Sequence, residues 1–134
     1  MFNVLTEINW LAVIVAVIPF AVLGGLYFTA VIPKQYAAAV GTPGKQGALF
    51  IAGPLVVSIV VVITSAVLLK ALDVTAIGDG VAFGLIVGVG YLVAQTFQIA
   101  INPAFARPLY YGLIGAPYFV VCSVIAAIIL TLWQ

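Results

Sequence analysis

The sequence predicts an all-α membrane protein in which four transmembrane helices pack as an antiparallel bundle. Three observations carry that reading: a scarcity of charge, four long apolar runs, and unbroken hydrophobicity within each run. Of the 134 residues, 66% are hydrophobic, while four are basic and three acidic. A water-soluble domain of this length carries about a quarter charged residues, so this composition cannot cover a globular surface with polar groups. The charges part the chain into runs over about residues 8–32, 49–72, 80–101 and 109–133. Each meets the length of about 20 helical residues needed to cross the hydrocarbon core. A β-barrel would require alternating apolar and polar residues. These runs do not alternate, so helices are the spanning structure that satisfies the backbone. No linker or composition shift divides the chain, and residues 1–134 read as one four-helix transmembrane domain.

The first run is preceded by MFNVLTE, which lacks the Lys and Arg of a signal-peptide n-region. It ends at Pro33-Lys34 like a membrane exit, and is read as a retained span. Ala12 with Ala16, and Ala21 with Gly25, form small-residue rows suited to close packing. The loop PKQYAAAVGTPGKQG is the only connection with room for structure of its own, and Gly41-Thr42-Pro43-Gly44 marks a turn at its centre. The second run contributes the hydroxyls of Ser58, Thr64 and Ser65. A short acidic loop follows, with Asp79 placed to cap the third helix.

The fourth run carries Gly112 with Ala116, and the lone Cys122, so no intrachain disulfide is possible. Pro19, Pro54 and Pro117 fall inside spans and are read as ordinary membrane kinks. Trp10, Tyr27, Tyr36, Tyr110, Tyr111 and Trp133 lie near span ends, where aromatic side chains anchor at the interface.

Four crossings place both termini on one side of the bilayer and the first and third loops on the other. Those loops hold Lys34, Lys45 and Arg107, against Lys70 alone on the opposite side. Positive charge in short loops favours the cytoplasm. The expectation is therefore a plasma (inner) membrane protein with loops one and three inside and both termini outside.

The third run holds the most specific pattern. At about 100° per residue, Gln95 and Asn102 differ by roughly 20° around a regular helix, and Gln98 and Tyr91 fall within about 60° of Gln95. Gly80, Gly84 and Gly88 map to the same side by that arithmetic. Glycine at every fourth position lets another backbone approach closely, so this row is a candidate helix-packing seam, within the chain or between chains. A lipid-facing amide finds no partner in hydrocarbon. The amides are therefore expected to face inward. They serve either as interhelical glue or as a polar pocket of Tyr91, Gln95, Gln98 and Asn102, with Arg107 at its mouth.

Catalytic chemistry is hard to find. The chain has no histidine, its three carboxylates lie at or beyond span ends, and no nucleophile elbow, P-loop or paired-cysteine motif occurs. General acid–base work and metal binding both require several such groups to converge. Proton-coupled transport normally marks itself with an intramembrane acid or histidine. The expectation is no enzyme, no cofactor, no metal site and no nucleic-acid partner.

The run Asn102-Pro103-Ala104-Phe105-Ala106-Arg107-Pro108-Leu109, the region of Tyr118 and the ending Ile128-Ile129-Leu130-Thr131-Leu132-Trp133 resemble a family of small four-helix membrane proteins known only as a domain of unknown function. Asn9-Trp10-Leu11-Ala12-Val13 and Leu23-Gly24-Gly25-Leu26-Tyr27-Phe28 are similar to its N-terminal pattern. The resemblance implies four membrane helices and a fixed Arg107-Pro108. Arg107 could there pair with lipid phosphate or cap the carbonyls of the third helix. It also implies Asn and His on the fourth helix, where this chain has Gly115 and Phe119. Any family activity relying on those two groups is in doubt here.

Two functions remain open from sequence. One is a non-enzymatic membrane protein working through helix–helix association, as a homo-oligomer or a small subunit of a larger membrane complex, with the glycine row as the seam. The other is a carrier or binding protein for a small amphipathic molecule, a lipid or quinone, held in the polar pocket of the third helix. In either case the bilayer is the surrounding partner.

Overall fold

A computed structural model of the chain describes residues 2–41 and 47–134. Among these residues every regular element is helical. Four helices are long and apolar enough to cross a membrane: Trp10–Val31, Ala48–Ala71, Ile77–Ala100 and Pro108–Leu132. They correspond to the four apolar runs, and their lengths of 22 to 25 residues give about 33 to 38 Å at 1.5 Å per residue.

Local chemistry sets the ends. The Asn9 side chain accepts from the backbone N–H groups of Leu11 and Ala12 at 3.1 and 3.3 Å, capping the first long helix. Pro108 opens the fourth, where its missing N–H costs nothing. Pro19, Pro54 and Pro117 lie inside the first, second and fourth long helices, as their positions in sequence imply.

Asp79 does not cap the third helix. That helix begins at Ile77 with Ala76 at the cap position, so Asp79 lies in the first turn, where its charge still favours the positive end of the helix dipole. The first connection does contain structure, a short helix over Pro33–Val40 that ends at Gly41 with φ of 94°. The turn expected at Thr42-Pro43-Gly44, and Lys45 with it, fall outside the described residues.

Two long helices depart from α geometry. The first switches to π-helical bonding over Tyr27–Val31, where the Ile32 N–H donates to the Tyr27 carbonyl at 2.9 Å. The third is α over Ile77–Leu85, π over Ile86–Val93 and α again over Ala94–Ala100.

The apolar core lies between the first, second and fourth long helices. Ala12, Val13, Ala16, Val17 and Phe20 meet Val62, Ala66 and Leu69, and both groups meet Cys122, Ala126, Ala127 and Leu130. Five alanines in this core let the helix backbones approach closely, with valine, leucine and phenylalanine side chains filling the space between. Ala12 and Ala16 are in this core, whereas Ala21 and Gly25 are exposed and take no part in it. The third long helix packs chiefly along the fourth.

Candidate functional site: the outer face of the third helix

The glycine row is buried, and it closes within the chain. A methyl group on Gly84 would lie 2.7 Å from the Val124 Cα and 2.9 Å from the Ser123 carbonyl oxygen. One on Gly80 would meet Thr131, and one on Gly88 would meet the Ser123 hydroxyl and the Val120 Cα. Numbers rise along one helix as they fall along the other, so the third and fourth helices run in opposite directions at this seam. The Ser123 hydroxyl lies 2.9 Å from the Gly84 carbonyl oxygen, just ahead of the π segment. Thr131 faces Gly80 with its hydroxyl buried and, among the described residues, without a hydrogen-bond partner.

The amide ridge is not on that side. Tyr91, Gln95, Gln98 and Asn102 are all exposed on the protomer, so they neither face inward nor enclose a pocket. The residue buried beside them is Thr96, whose hydroxyl donates to the Leu92 carbonyl at 2.7 Å and whose methyl faces Gly115.

The π segment is the reason. Each i→i+5 bulge adds one residue to a turn and delays the helix by about 100°. In a regular α-helix, Gln95 would follow Gly88 on the packed face. After the delay, Thr96 takes that position, and Ala100 follows it. The buried line thus runs Gly80, Gly84, Gly88, Thr96 and Ala100, with Leu92 half-buried between. Gln98 is about 200° from Thr96 and points away from the fourth helix.

Among the described residues, the side chains of Gln95 and Gln98 make no hydrogen bond. Asn102 accepts locally, from the Ala104 N–H at 3.1 Å. Arg107 is exposed and belongs to the start of the fourth helix rather than to the ridge; its backbone N–H donates to the Ala39 carbonyl at 3.0 Å, tying the third loop to the first.

A second constellation was not legible in sequence. Tyr27, expected as an interface anchor, is half-buried and donates its hydroxyl to the Ile114 carbonyl at 2.8 Å. Tyr118 donates to the Phe20 carbonyl at 2.8 Å and contacts the rings of Phe20, Tyr27, Phe28 and Phe119. The cluster extends through Phe28 to Tyr36 and on to Tyr111. Burial pushes the Tyr36 hydroxyl above its ordinary pKa. The available signal was Tyr118 itself, a hydroxyl deep in an apolar run that had to find a partner. A groove of about 240 Å³ adjoins this cluster, lined by Phe28, Thr29, Pro33, Tyr36, Ala37, Val40 and Gly41.

Four helices long and apolar enough to cross a membrane, packed about an apolar core, define a small multi-pass membrane protein. The chain belongs to the family described as protein of unknown function (DUF1761), whose model matches residues 11–131. That match takes in all four helices, the glycine seam and the amide ridge. No curated protein and no solved structure matches the chain.

Proposed function

We propose that the chain is a non-enzymatic integral membrane protein that works through helix–helix association, as a homo-oligomer or as a small subunit of a larger membrane complex. One observation carries this reading: the only amides within the four long helices, Gln95 and Gln98, are exposed on the protomer. Hydrocarbon gives such groups no partner, whereas a neighbouring membrane helix does. The glycine row cannot serve as the intermolecular seam, because the fourth helix of the same chain fills it. In this reading the helices form an antiparallel bundle in the plasma (inner) membrane, with both termini outside and loops one and three in the cytoplasm.

Native mass spectrometry of the protein released from its own membranes tests the reading. The expected result is a multiple of the 14.0 kDa chain mass, or the chain with other membrane proteins. A bare monomer would overturn it. The groove beside Phe28 and Tyr36 favours a second reading, in which the chain binds a lipid or quinone there. A monomer carrying a reproducible small-molecule adduct would select that reading.

A further inference from the structure

We propose that the groove beside the first long helix binds one phospholipid of net negative charge, with an acyl chain against Phe28 and the headgroup between Lys34 and Arg107. The inference rests on the binding reading of that groove and names its ligand; it holds for a single chain or an assembled one. The groove, of about 240 Å³, crosses the end of a membrane span. Phe28 and Thr29 lie inside the first long helix, which ends at Val31. Pro33, Tyr36, Ala37 and Val40 continue the wall along the short helix Pro33–Val40, and their spacing puts them on one face of it. An occupant therefore lies against apolar side chains at one end and reaches the headgroup layer at the other.

Charge selects among the amphipathic molecules that could lie there. On the short helix, Lys34 and Ala39 sit about 110° to either side of the groove-lining face. Lys34 places a cation on one flank. On the other, the Ala39 carbonyl accepts from the Arg107 backbone N–H at 3.0 Å. Ala106 stands at the rim, where a methyl group on Gly41 would lie 3.4 Å from its Cβ. Lys34 and Arg107 are both exposed, and neither the first nor the third loop contains an acidic residue. Glu7 lies with Lys70 around a separate pocket at the far end of the first and second long helices. Asp73 and Asp79 follow the second helix, at that same far end. Two cations with no carboxylate at their end of the protein complement an anion, and their hydrogen bonds to phosphate are of the strong, charge-assisted kind. The Tyr36 hydroxyl on the groove wall makes no hydrogen bond among the described residues, which leaves it to donate to an ester or phosphate oxygen of the lipid. A quinone offers carbonyl acceptors but no charge. A zwitterionic lipid brings its own cation to a place that already holds two.

Native mass spectrometry of the full chain, titrated with dioleoylphosphatidylglycerol, dioleoylphosphatidylcholine or decylubiquinone, tests this. The two lipids share acyl chains and differ in headgroup charge. The expected result is that phosphatidylglycerol binds at least about tenfold more tightly than either other probe, the preference that two cations give an anionic lipid. Lys34→Gln with Arg107→Gln should lower phosphatidylglycerol to the level of phosphatidylcholine and leave the latter unchanged. Lys70→Gln, at the far end, should change neither. Ala37→Trp fills the groove from an exposed position and should weaken both lipids about tenfold. Continued protection of Cys122 from maleimide shows that each variant is folded. Equal binding of the two lipids, with both lost in Ala37→Trp, would overturn the anionic ligand while leaving the binding reading in place. Tighter binding of the quinone would do the same. A phosphatidylglycerol preference that survives Ala37→Trp, or that Lys70→Gln also removes, would put the anion on another surface and overturn the proposal. No binding of any probe would overturn the binding reading with it.

Discussion

Tyr27 and Tyr118 join the first and fourth long helices by a reciprocal exchange. The Tyr27 hydroxyl donates to the Ile114 carbonyl and the Tyr118 hydroxyl to the Phe20 carbonyl, each at 2.8 Å. Their rings stack between these bonds, 6.3 Å apart and inclined by 13°. Each hydroxyl thus adds a hydrogen bond to a backbone carbonyl of the opposite helix. The Cys122 thiol also reaches the first helix, lying 3.6 Å from the Pro19 carbonyl oxygen.

The exchange predicts that Tyr118→Phe and Tyr27→Phe each destabilise the protein by about 0.5–1.5 kcal/mol, the net value of a hydrogen bond. Thermal unfolding in mild detergent measures this. Because the rings are in contact, the double variant should lose less or more than the sum of the two, rather than matching it. Unchanged melting of both single variants would show that the bonds carry no net stability.

The seam of the third and fourth helices predicts a contrast between glycines. Gly84→Ala forces a methyl against the Val124 backbone and should cost about 1–3 kcal/mol, as overpacking does. Gly78→Ala meets open space and should be neutral or slightly stabilising, since glycine within a helix is worse than alanine by up to about 1 kcal/mol. Parallel melts of the two variants decide the matter. Equal behaviour would place the helix contact elsewhere.

Cys122 is fully buried among the first and fourth helices. The folded protein should therefore react with maleimide at least about tenfold more slowly than the denatured chain, because a buried thiol is inert. Mass spectrometry of timed samples follows the label. Rapid labelling of the native protein would mean that the core opens readily.

The π segment predicts tolerance of a deletion. Removing the exposed Val89 should return Ile86–Val93 to α bonding while keeping Thr96 on the packed face, since one residue is the amount by which the bulge exceeds a turn. The expected outcome is a folded protein in which Thr96→Cys stays protected from maleimide, because residue 96 remains on the packed face. If deletion instead exposes position 96 or unfolds the chain, the bulge is not what sets the faces of this helix.

By itself the sequence determined the four helices. Their existence follows from unbroken apolar runs flanked by charge and proline, and bilayer thickness leaves little freedom in their length. It offered Gly80, Gly84 and Gly88 as a candidate seam, and the structure sets all three against the fourth helix. The face that carries Gln95 and Gln98 was decided by tertiary structure. The phase at residue 95 depends on whether the backbone bonds i→i+4 or i→i+5 between residues 86 and 93, and both ladders suit the same apolar residues. Packing of Gly80, Gly84, Gly88 and Thr96 on the fourth helix selects the π ladder, and that choice turns the amides outward. The partners of Tyr27 and Tyr118 were decided in the same way. They are backbone carbonyls 87 and 98 residues distant, and a carbonyl has no identity in sequence until packing brings it near.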